Sequence, residues 1–507
     1  MGAVPAIARI GRTADVVTLN PIMFTELTSA AVVTQLYDHL LELDAEFNYV
    51  ALGLVKSWSI SPEGDIVDFE LRSGVRFHDG TELTAEDAAF TFQCALDPAN
   101  QSPRRAQLIV SGQEMSFEAI DRYRLRIWLP SASASCLASI ACLPLLPKHC
   151  YEGELMPEHR RNSSPVGSGS FRFGERKPGE SVSILAYQGH YAGPPQLDRV
   201  DFLVYDGIES ATKALLAGDV DYVPNVGTEI ARSLEGQRGL SVSWSDAAMV
   251  TYLAFNLDAP PVRDLRVRSA IAHAIDRQGL VHEVMAGAAA VADTMVPPNT
   301  FWRNEDLIAP DYNIARASAL LDAAGWRVTD SSGLRRNSAR APLELPILTT
   351  TGDRAKQRAA EFIAADLRRV GIDSSVHGYD MGTLLRDYIY PRQYKAALLA
   401  LNPDPDPGFM NSFYHSAMLT PVGWNRCAYR NPVVDQLLED SLSVTQDRRR
   451  RKAMLDEIQR IVAADLPHVT LYNPRLANVS STRIHVPEQL LSHGDDFAVL
   501  RGWRVVS

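Results

Sequence analysis

A chain of 507 residues is too long for one ordinary core, so two or three lobes are expected. Its 46% hydrophobic and 22% charged content is that of a globular protein, and its formal charge of −11 argues against nucleic acid, whose phosphates call for a basic face. No run of about 18 apolar residues exists, which excludes an obvious membrane-spanning helix. The start, Met1-Gly2-Ala3-Val4-Pro5, lacks the charged and apolar regions of a signal peptide. That leaves a cytoplasmic protein or a mature secreted domain carrying a start methionine. The cysteines are Cys94, Cys136, Cys142, Cys150 and Cys427. No CxxC pair supports a zinc or redox motif. A disulfide among Cys136, Cys142 and Cys150 and simple burial as small hydrophobes both remain open.

In chain order, residues 17–43 hold Val32, Val33, Leu36, Tyr37, Leu40 and Leu41 at helical spacing. Residues 54–92 predict strand, turn, strand, turn, helix. Pro62-Glu63-Gly64 and His78-Asp79-Gly80 supply the turns, and Thr84 followed by Asp87 supplies a helix start. Tyr123, Leu125, Ile127 and Leu129 alternate as a strand does. PVGSGSFRF (165–173) is a glycine/serine turn leading into a strand, and strands follow at 182–185 and 199–205. Residues 210–217 predict a helix stopped by Gly218. YLAFNL (252–257) is a strand. Helices are expected over 264–285, 313–324, 353–370 and 447–464, the second and third ended by Gly325 and Gly371 and the last by Pro467. Strand–helix alternation through 343–401 points to an α/β lobe with a mixed sheet.

Along the chain follow TLNP (18–21), QLYDHLLELD (35–44), the 54–92 segment, PVGSGSF (165–171), GHYAGPPQLDRVDF (189–202), ALLAGDVDY (214–222), VRDLRVRSAIAHAIDRQGLV (262–281), ARASALLDAAGW (315–326), ADLRRVGI (365–372), NPDPDP (402–407) and NRCAYRNPVVDQLLEDS (425–441). In this order these blocks resemble those of the family 5 extracellular solute-binding proteins, the dipeptide- and oligopeptide-binding subunits of ABC importers. Ser168, Ser170 and Ala192 depart from the family's usual Thr, Pro and Trp. The resemblance spans about residues 16–491. It implies an α/β fold of the two-lobe periplasmic binding protein type (class II, cluster C) with two hinge crossings, near 256–263 and 466–472. The first lobe would be discontinuous, 1–258 plus 470–507, with an extra subdomain at about 46–165. The second would be 259–469. A ligand is enclosed when the hinge closes.

The most ligand-suggestive stretch is NPDPDPGF. Pro403, Pro405 and Pro407 forbid a helix and stiffen the loop, which presents Asp404 and Asp406 on a fixed backbone. A solvated turn is the alternative. The resemblance implies that Asp404, with Asp406 second, pairs with a peptide's α-ammonium group. Arg354 and Arg358, one turn apart at a helix start, suit a ligand carboxylate, or else lie solvated on the helix face. Trp424 and Tyr414 offer flat contact area, with Asn425 beside them, against the alternative of core packing. The resemblance implies that Glu26, Leu27 and Thr28 lie in a segment whose backbone pairs with an extended peptide as an added strand. The run RRRRK (448–452) reads as a solvated helix face.

GSGS lacks the Walker lysine and the GxSxG arrangement, and no HExxH or triad-like cluster occurs, so no enzyme, cofactor or metal is expected. The resemblance implies a monomeric, periplasmic or membrane-anchored extracytoplasmic subunit, its signal peptide removed. It would capture a small peptide and deliver it to membrane permease and ATPase subunits, without nucleic acid. An oligosaccharide, an opine or a metal chelate is the alternative ligand, and a cytoplasmic enzyme the distant alternative.

Overall fold

The structure is a computed structural model describing residues 5–506, apart from 45–47, 111, 142, 405, 421–422, 446, 489–490, 493–496 and 498–499. Cys142 and Pro405 therefore lie outside the described residues. The chain divides into two compact units. The first comprises Met1–Ser245, Ser443–Gln446 and Leu476–Ser507, the second Asp246–Leu442 and Asp447–Arg475. These divisions differ from the expected 258/259 and 469/470. The physical reason is strand pairing. Val250–Phe255, expected in the first lobe, pairs along its whole length with Ala396–Leu401, and residues of His468–Tyr472, expected at a crossing, pair with it as a strand of the same sheet.

In the first unit, Ile7–Arg12 runs parallel to Arg199–Val204, which is flanked in turn by the antiparallel strands Ser181–Ala186 and Phe171–Lys177. Alternation along these strands serves two cores. Ile10 and Phe202 join the cluster under the helix Leu27–Leu36, while Gly11 abuts Ala211 of the helix Ile208–Ala217. Gly218 ends that helix in the left-handed region, φ +80°. A four-stranded antiparallel sheet with a core of its own is built from Val55–Ile60, Ile66–Leu71, Arg124–Trp128 and Ser116–Ala119, in that spatial order. The helix Ala85–Leu96 packs on it. The Thr84 backbone N–H and hydroxyl donate to Asp87 Oδ2 (2.8 and 3.1 Å), as the sequence predicts, and Asp87 Oδ1 also accepts from the Lys148 N–H (2.9 Å).

Two sequence blocks are bound together here. The His78 N–H donates to Gly167 O, His78 Nδ1 accepts from the Gly167 N–H, and Nε2 donates to Gly169 O (3.0 Å). That pattern holds the ring as one neutral tautomer, and burial lowers its pKa to about 4. A Cβ on Gly167 or Gly169 would overlap the Leu36 or Gln35 carbonyl, so the PVGSGSF block needs glycine there. The Gly169 N–H donates to Leu36 O (3.0 Å), and the preceding helix ends at Leu36 rather than running on to Leu41 as the apolar spacing suggests.

In the second unit, Val250–Phe255 is buried on both faces. Leu253 and Phe255 face a core shared with the helices Leu265–Ala274, Ile314–Ala323 and Arg354–Arg369. Val250, Tyr252 and Ala254 face a second core with Phe409–Tyr414 and Arg448–Asp465. Ile347–Thr350 joins the sheet in parallel between Ala396–Leu401 and Val376–Tyr379. The single helix expected over 264–285 is two helices. Asp276 breaks it by capping Arg277–Glu283, its Oδ1 accepting from the Gly279 N–H (2.8 Å), while its own N–H donates to the buried Asp366 (2.9 Å).

Cys94, Cys150 and Cys427 are buried free thiols, and Cys136 is buried. Among the described residues, no helix is long and apolar enough to cross a membrane.

Candidate functional site

The proline-spaced loop separates its two aspartates into different roles. Asp406 is buried and forms a two-pronged ion pair with Arg451, Nη1 to Oδ2 at 2.8 Å and Nη2 to Oδ1 at 2.9 Å. Its Oδ1 also accepts from the Gly408 N–H (2.8 Å). Arg451 is only 4% exposed and lies 5.0 Å from the centre of the Trp302 ring. RRRRK is thus a solvated face at Arg448, Arg449 and Arg450, as expected, but not at Arg451. Arg448 stacks on Phe301 (3.9 Å), Arg451 is core, and Lys452 donates to Arg303 O (2.9 Å).

Asp404 is the other case. It is open to solvent and has no cation partner among the described residues. Partial desolvation by nearby protein atoms and the charge of Asp406 raise its pKa above the ordinary 3.8. An ionised carboxylate in that setting gains from any ammonium or guanidinium placed against it.

Trp424 is 55% exposed. The loop beneath it is tightly turned. The Gly423 N–H donates to Thr420 Oγ1 (2.9 Å), and a Cβ on Gly423 would overlap the Met418 carbonyl. Arg426 sits between two aromatic faces, 4.3 Å from the Tyr390 ring centre and 5.8 Å from that of Trp424. Burial lowers the Arg426 pKa. Neither Arg426 nor Tyr390 was singled out by sequence reasoning. The aromatic at 390 precedes Pro391 in an unpatterned stretch, and only the fold brings it to Arg426.

Tyr414 and Asn425 have internal duties. The Tyr414 hydroxyl is hydrogen-bonded to His468 Nε2 (2.8 Å), both side chains buried. The Asn425 amide donates to Tyr414 O, His415 O and Tyr429 O (2.8 Å for the last) and accepts from the Tyr429 N–H. With Asn425 1% exposed, its polar atoms are spent on the backbone.

Arg354 is exposed at the head of its helix, and Arg358 donates to Glu283 O (3.3 Å). The helix is capped by Asp353, whose Oδ1 accepts from the Lys356 N–H (3.0 Å), so a carboxylate already holds part of the anion-binding end.

In the first unit, Glu26 is the residue before the helix Leu27–Leu36. Its carboxylate accepts from the Ser29 hydroxyl and from the backbone N–H groups of Val17 and Thr25. Leu27 and Thr28 form the helix's first turn, and the Glu26 carbonyl already accepts from the Ala30 N–H (3.1 Å). A helical turn cannot offer the alternating donors and acceptors of a strand edge, so the segment differs from the expected peptide-pairing strand.

Residues 50–419 match the bacterial extracellular solute-binding proteins, family 5 (middle), and the chain belongs to that family. It is similar to the oligopeptide-binding protein AppA of Bacillus subtilis, 26% identical over 477 residues covering 92% of this chain and 86% of that one. It is also similar to the dipeptide-binding protein of Escherichia coli, 24% identical over 488 residues, 90% and 88% of the two chains. Among solved structures it resembles the ABC transporter substrate-binding protein CtaP of Listeria monocytogenes, with a TM-score of 0.86, 23% identity and 98% and 99% coverage. It also resembles AppA of B. subtilis in complex with a nonapeptide, with a TM-score of 0.76, 24% identity and 99% of each chain covered. The fold is the two-lobe periplasmic binding fold.

Two predictions follow from the packing. Asp406→Leu and Arg451→Met should each cost about 3–5 kcal/mol by stranding a buried charge, and the double variant should cost much less than the sum. Urea unfolding of the four proteins checks this. His468, buried and held near pKa 4, takes up its proton near 6.5 once unfolded. The unfolded chain thus binds more protons between those values. Its contribution is complete above pH 6.5 and falls by about 3 kcal/mol as pH drops to 4. Unfolding free energies at several pH values should show the fall, and His468→Gln should make it shallower by about that 3 kcal/mol, leaving the share of buried histidines such as His78.

Proposed function

We propose that this protein is the extracytoplasmic binding subunit of an ABC importer, and that its solute is a short peptide with a free α-amino group. Asp404 is the observation that carries the reading. It is the aspartate of its loop without a cation partner among the described residues, with its pKa raised by desolvation and by the charge of Asp406. A peptide ammonium is a small, strong donor of matching charge. Trp424, with Arg426 and Tyr390 stacked behind it, supplies flat contact area that tolerates varied side chains. Arg354, exposed and without an ion-pair partner among the described residues, is the candidate for the peptide's carboxylate. The relatives support the reading: they are named oligopeptide- and dipeptide-binding proteins, and one is solved with a nonapeptide. The subunit acts as a monomer outside the cytoplasm, by binding without turnover, and hands its ligand to permease and ATPase partners.

Calorimetric titration tests the assignment. Asp404→Ala should weaken peptides with a free amine by at least about thirtyfold and leave their N-acetylated forms unchanged. Equal loss for both forms would remove Asp404 from amine recognition.

A further inference from the structure

Asp79 stands 70 residues before His149 and 71 before Cys150 in the chain, and the three converge within the first unit. Asp79 lies in the turn after Phe77, and the other two share the one-turn helix Lys148–Tyr151. His149 Nε2 is 2.7 Å from Asp79 Oδ2, and Cys150 Sγ donates to the same oxygen at 3.8 Å. All three donor atoms lie within 4.8 Å of one another. Ligands of a tetrahedral ion with bonds of about 2.0–2.3 Å sit roughly 3.3–3.8 Å apart, so small side-chain movements admit a metal between them.

The surroundings favour such a use. Asp79 Oδ1 accepts from the Thr81 N–H (3.0 Å), which orients the carboxylate as outer-shell bonds orient metal ligands. The His149 ring rests against Phe77, with centroids 5.8 Å apart. The His149 and Asp79 side chains are 37% and 34% exposed, whereas Cys150 is buried, so two donors meet solvent and the sulfur is shielded. An ordinary histidine–carboxylate ion pair accounts for the 2.7 Å contact but not for a thiol aimed at the same oxygen.

We propose that Asp79, His149 and Cys150 form a site for a divalent transition-metal ion of the zinc class, with its remaining position open to water or an outside ligand. One carboxylate oxygen, one imidazole nitrogen and one sulfur suit a borderline ion better than magnesium or calcium. On binding, the thiol proton leaves to solvent, the sulfur donates its electron pair to the metal, and the two anionic ligands balance the ion's charge.

Cobalt(II) is the probe, because thiolate ligation gives a near-ultraviolet charge-transfer band and four-coordination gives strong visible bands. Titrating the reduced, metal-stripped full chain with Co²⁺ should produce both, and Zn²⁺ should abolish them. Cys150→Ser should remove the charge-transfer band, and His149→Ala should weaken binding at least about tenfold, with circular dichroism unchanged. Should Cys150→Ser fail to fold, Asp79→Asn at the exposed rim serves instead, with the same weakening expected. A spectrum that stays that of hydrated Co²⁺, or a charge-transfer band that persists in Cys150→Ser, overturns the proposal.

Discussion

The buried ion pair between Asp406 and Arg451 sets the terms for the loop on which the proposed binding site rests. Removing two charges from water is costly, and a pair survives in a core only when the geometry is near ideal and the remaining lone pairs are satisfied. Both conditions hold: the guanidinium meets the carboxylate with two parallel bonds, and the Gly408 N–H takes up further acceptor capacity. Trp302 closes one face of Arg451. The loop is thus anchored from inside by one aspartate while prolines stiffen it from within the chain. What remains is Asp404, carried on the same backbone with nothing to neutralise it among the described residues.

That division of labour connects packing to function. Two carboxylates in one loop repel each other, and Asp406 contributes to the raised pKa of Asp404. Arg451 answers only one of them. The other carries a charge that, in the proposed site, a ligand cation would neutralise. In the proposed site, Trp424, Arg426 and Tyr390 would add contact area of a kind indifferent to side-chain sequence. Asn425 holds the adjoining backbone in place, and Tyr414 is tied to His468.

Much of this was legible in the sequence, for local reasons. The strand expected over 252–257 is short and mostly apolar, and the structure places it at Val250–Phe255, in the middle of the second unit's sheet. Thr84 and Asp87 announce a helix start because a cap needs only residues three apart. Long-range facts were not legible. A run of five basic residues reads as a solvated face, yet every fourth position of a helix returns to the same side, and Arg451 falls on the side with Leu455 and Ile458. Its partner is 45 residues away. The same holds for Gly167 and Gly169, whose necessity depends on the carbonyls of Leu36 and Gln35. Thr25–Ser29 misled in the other direction, because its polar, threonine-rich composition hides the helix start made by Glu26 and Ser29. The convergence of Asp79 with His149 and Cys150 has no signature in spacing at all.

The most direct measurement is a carbon-13 NMR titration of the Asp404 carboxyl in the free and the peptide-bound protein. The account predicts a pKa above the usual 3.8 in the free protein and a clear fall when a peptide with a free amine is bound. A value at or below 3.8 in the free protein, or one that does not move on binding, would contradict it.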